Sequence, residues 1–70
     1  MSPDLPAVWP GRDGAPVACR EKLRMLAENE AELLQVLQDV FEDAVLMGVD
    51  EGFLRARLHE LADSVRAPGA

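Results

Sequence analysis

Apolar positions between Val17 and Met47 keep a helical rhythm. Leu23, Leu26, Leu33, Leu37, Val40, Ala44 and Met47 recur mostly at intervals of three and four, interrupted at Glu30. Leu34, Phe41 and Val45 widen the stripe, which predicts an amphipathic helix with a broad buried face. Pro16 suits a first helical turn, where its missing N–H is harmless, so the pattern predicts a helix over about 17–47. The segment Asn29-Glu30-Ala31-Glu32 has the form of a capping box and would allow a break there. Ala27, Glu28, Glu30 and Ala31 are good helix formers and argue for continuity.

The stop is better signalled than the start. Gly48 can take the left-handed conformation that ends a helix, Val49 can fold back on the preceding turn, and Asp50 can cap the helix that follows. A tight turn over 48–50 then leads into a second helix over about 51–66, with Leu54, Leu58, Leu61 and Val65 on one face. The fold class expected is all-α, a helical hairpin. At ~1.5 Å per residue the first helix is about 46 Å long and the second about 24 Å, so the second covers the first only back to about Leu33. The uncovered start carries Val17, Leu23, Met25 and Leu26. Leu23, Met25 and Leu26, with Leu33 at the edge of the covered part, are therefore the expected interface of a homodimer, an antiparallel four-helix arrangement.

Charge bears on that expectation. Arg20, Lys22 and Arg24 lie near the start of the first helix and Asp39, Glu42 and Asp43 near its end, unfavourable for the helix dipole at both ends. An antiparallel partner would bring basic start against acidic end, although Arg55 and Arg57 of the second helix could answer the same acids within one chain. At 70 residues a single core is only marginally stabilising, which also points to a partner.

Residues 1–16 hold four of the five prolines and no hydrophobic period, and are expected to form a disordered or extended arm before the hairpin domain of 17–66; residues 67–70 make a flexible tail. Trp9, the single tryptophan, stands in Pro-Ala-Val-Trp-Pro-Gly, either folded back on the helices or serving as a linear docking motif. Together with Phe53, just off the Leu54 stripe, it is a candidate for partner recognition.

Candidate chemistry is sparse. His59 has Glu60 and Asp63 nearby but no serine, threonine or cysteine at a helical spacing to serve as nucleophile. Cys19, the single cysteine, has no intrachain disulfide partner, and with His59 falls short of a zinc ligand set. No catalytic residue, cofactor or metal is expected. Ala44, Gly48 and Leu54 do follow the spacing of a helix-turn-helix, for which Arg55 and Arg57 would be the DNA contacts. Carboxylates at Asp50, Glu51, Asp39, Glu42 and Asp43 surround that corner, however, and would repel phosphate. The net charge of −6 disfavours nucleic acid and permits a second alternative, an acidic mimic that blocks a nucleic-acid-binding protein. With no apolar run long enough for a membrane span, the expectation is a cytoplasmic, non-enzymatic regulator, adaptor or accessory subunit acting through protein contacts with itself and another protein.

Overall fold

Each helix begins and ends where its backbone can be satisfied. In the computed structural model, which describes residues 8–69, α1 spans Arg20–Leu46 and α2 spans Glu51–Ser64, and the described residues contain no strand. The architecture is an all-α hairpin. Residues 1–7 of the expected arm and Ala70 of the expected tail lie outside the described residues. The chain divides into two units, Met1–Gln35 and Val36–Ala70, with α1 running through the boundary.

In the first unit, α1 starts three residues later than Pro16 suggested. Pro16 is held in an isolated antiparallel bridge with Pro10, and the Val17 N–H donates to the Trp9 carbonyl at 2.8 Å, so both are committed to a turn. That turn is built at Gly11-Arg12-Asp13-Gly14, where the Gly14 N–H donates to the Gly11 carbonyl (3.0 Å) and the Gly11 N–H to the Ala15 carbonyl (2.7 Å). The Asp13 carboxylate accepts from the Ala15 N–H at 3.0 Å, the local bond that makes aspartate a turn residue. Of the stretch read as an extended arm, the described part from Trp9 onward doubles back on itself and leaves Trp9 half-buried. The Leu23 N–H donates to the Cys19 carbonyl (2.9 Å), which makes Cys19 the residue flanking the first turn of α1. The helix then passes through Asn29 without a break.

The second unit holds the corner. Gly48 has φ +94°, its N–H donates to the Val45 carbonyl (3.0 Å), and the Val49 N–H donates to the Ala44 carbonyl (3.0 Å). This pair of bonds is the Schellman closure, which satisfies carbonyls a helix end would otherwise leave bare. Two residues on, the Asp50 carboxylate accepts from the Phe53 N–H at 2.8 Å and starts α2, with Glu51 in the first turn. At the other end α2 stops at Ser64 and not at Arg66. The Ser64 hydroxyl donates to the Leu61 carbonyl (2.7 Å), the Val65 N–H to the Ala62 carbonyl (3.3 Å), and Val65 is already extended.

Burial is shallow throughout. Leu54, 8% exposed, is the single buried residue among those described. Leu23 and Leu26 in the first unit, and Leu37, Phe41, Ala44, Val45 and Leu58 in the second, are half-buried. Leu33, Val40, Leu61 and Val65, expected in the core, are exposed.

Candidate functional site

The burial pattern splits the apolar residues of α1 between two faces. With ~100° of rotation per residue, the half-buried Leu23, Leu26, Leu37, Phe41, Ala44 and Val45 share one arc of the helix. Met25 and Leu33 in the first unit, and Val36 and Val40 in the second with Met47 just past the helix end, form a second stripe roughly 100° away around the helix. This second stripe is open to solvent: Met25 is 62% and Val36 57% exposed. Lys22 stands on the same face near its start and Asp43 near its end, with Asn29 between. Among the described residues, neither charge has an ion-pair partner within the chain.

At the corner of the second unit a further apolar group is exposed. Leu46 is 86% and Phe53 63% exposed, and Met47 and Val49 lie between them in the chain. Gln38, Phe41, Glu42, Val45, Leu46 and Glu51 line an open depression of about 460 Å³ beside it. Its lining is mostly apolar. At its rim the Gln38 amide donates to the Glu42 carboxylate at 3.2 Å.

The cations proposed for partner contact are already engaged. The Arg55 guanidinium lies 4.7 Å from the centroid of the Phe41 ring, a cation–π contact worth about 0.5–1 kcal/mol at an exposed site. Arg57 approaches Glu60 at 3.8 Å, and Arg24 approaches Glu21 at 3.0 Å and Glu28 at 3.9 Å. All three pairs are exposed and lie within one helix, where such contacts contribute little.

Cys19 has the most altered chemistry. Backbone N–H groups of Lys22, then Glu21, point at its sulfur and lower the thiol pKa from its ordinary value; desolvation opposes this and the Lys22 charge adds to it. The side chain is exposed. His59 is exposed as well, and among the described residues no three of His, Cys, Asp and Glu gather as a metal site would require. No helix of the described residues is long and apolar enough to cross a membrane.

Of the four residues expected at an interface, Met25 and Leu33 are exposed on the second stripe, whereas Leu23 and Leu26 turn their side chains partly inward within the first unit. Val36, Val40 and Leu46 also lie at the surface. The signal for this is the angular position of each residue around the helix, which three-and-four spacing does not resolve for Val40. The chain matches no known protein family, no curated protein and no solved structure.

Proposed function

We propose that this protein is a small non-enzymatic helical module that acts by protein–protein contact, as a regulator, adaptor or accessory subunit, and that it works as a homodimer. The observation that carries the proposal is the exposed stripe of α1. A row of four large apolar side chains on one helix face, with one buried residue among those described, is more apolar surface than a soluble domain of this size normally leaves wet. A helix face of this kind is covered in the working molecule by another helix.

The corner group around Leu46 and Phe53 is the proposed contact for a second protein, with Trp9 as a further anchor. Exposed aromatic and long apolar side chains with a polar rim are the composition of interface centres. The DNA-binding alternative gains no support from Arg55 and Arg57, which face Phe41 and Glu60, while Asp50 and Glu51 occupy the start of α2.

The test is sedimentation velocity or light scattering across a dilution series from about 100 μM to 0.1 μM, a span chosen to bracket small helical interfaces. A dimer that dissociates on dilution is expected. A single-chain mass throughout the series would refute the homodimer.

A further inference from the structure

Resting on the reading of the corner as a contact for a second protein, we infer that the depression beside it takes a basic amphipathic segment of that partner, with apolar side chains on Phe41, Val45 and Leu46 and lysines or arginines on Glu42 and Glu51. Every residue that lines it belongs to the second unit. Phe41 and Val45 stand one turn apart on α1, and Leu46 ends the helix just before the turn at Gly48. Together they line an open depression of about 460 Å³, within the range of about 300–1,000 Å³ that ligand-sized groups fill. Leu46, 86% exposed, is left almost wholly in water by the chain's own fold. Apolar surface gathered in this way is the mark of a contact site.

Charge decides the occupant. Glu42 borders the depression from α1 and Glu51 from the first turn of α2, so each helix brings a carboxylate to it. Glu42 accepts one hydrogen bond from Gln38, and among the described residues neither acid has an ion-pair partner. The neighbouring chain offers no cation: from Gln38 to Phe53 the charged residues are Asp39, Glu42, Asp43, Asp50 and Glu51, with no lysine or arginine. Arg55, the next cation along α2, lies over the Phe41 ring. A phosphate backbone or an anionic segment would be repelled here, and two copies of this same face would set carboxylates against carboxylates. A neutral apolar segment would cover Phe41, Val45 and Leu46 but leave both acids without a counter-charge. An amphipathic helix with lysine or arginine beside its apolar face answers both, because the long stems of those residues lie along apolar surface while their charged ends reach the rim.

The probe is a labelled synthetic amphipathic helix about 14 residues long, built from leucine and lysine, with a leucine–glutamine peptide of the same pattern as its neutral counterpart. Fluorescence anisotropy at about 50 mM salt, where charge pairs are weakly screened, reads the binding of each. The basic peptide is expected to bind the wild-type chain about tenfold more tightly than the neutral one. Glu42→Gln combined with Glu51→Gln should weaken its binding about fivefold, and Leu46→Ser should do so by about the same factor. Glu60→Gln combined with Asp63→Asn removes the same formal charge farther along α2 and should change binding by less than about twofold. All five positions are exposed, and the helix signal in circular dichroism checks that each variant folds. Equal weakening by the two carboxylate pairs would mean that the peptide responds to net charge alone, which overturns the site, as would an unchanged affinity in Leu46→Ser. Peptides of equal affinity, both weakened by Leu46→Ser, overturn the basic partner and leave the corner standing as a protein contact. Failure of both peptides to bind at about 100 μM removes the corner contact as well.

Discussion

At the residue scale, Cys19 shows how much a few backbone groups can change. Its sulfur receives N–H groups of Lys22 and Glu21 because it stands at the head of α1, where the first turn has donors without helical acceptors. Those donors stabilise the thiolate and not the thiol, which depresses the pKa in the folded chain. The contribution to folding is therefore present above the ordinary thiol pKa and is lost as pH falls through the depressed value. Alkylation by iodoacetamide, followed against pH, is expected to reach half its maximal rate at a lower pH in the folded chain than in urea. Coincident midpoints would show that the N–H groups do not reach the sulfur in solution. Neither the altered thiol nor its position was legible in the sequence, because both depend on the helix starting at Arg20. Pro16 looked like a first-turn proline, and the competing signal was the turn formed by Gly11, Asp13 and Gly14, which closes Val17 onto Trp9.

Elements that announce themselves by local chemistry were read well, and those that depend on which face is covered were not. Gly48 ends α1 through a left-handed backbone, and Asp50 starts α2 with a bond to Phe53; glycine and aspartate have few other reasons to stand at that spacing. Replacing Asp50 by alanine removes the acceptor for the Phe53 N–H and is expected to destabilise the chain by about 0.5–2 kcal/mol. Urea denaturation followed by circular dichroism would measure it, and an Asp50→Ser variant that retains most of the stability would assign the loss to the cap. Equal losses in both variants would point to the charge instead. By contrast, Leu33, Val40 and Met47 were merged with Leu37 and Ala44 into one stripe, since each obeys the same spacing. Burial separates them. A helix wide enough to carry two apolar faces cannot be resolved by period alone, because the period records that residues recur and not which neighbour receives them.

For the whole molecule, folding and association become one process. A chain of 70 residues with Leu54 as the one buried residue described has little internal burial with which to offset its conformational entropy. If α1 covers α1 of a second copy, much of the stabilising burial is intermolecular, and the folded state gains free energy by mass action as protein concentration rises. A tenfold increase in concentration is then worth about 1.4 kcal/mol per mole of dimer, equivalent to a rise in Tm of about 3–5 °C for a domain of this size. Thermal melts at 222 nm between 2 and 200 μM, two tenfold steps, should show about twice that shift. A midpoint independent of concentration would mean that each chain reaches its stability alone. In that case the exposed stripe of α1 would have to be explained without a second copy, by a different protein laid along the same face.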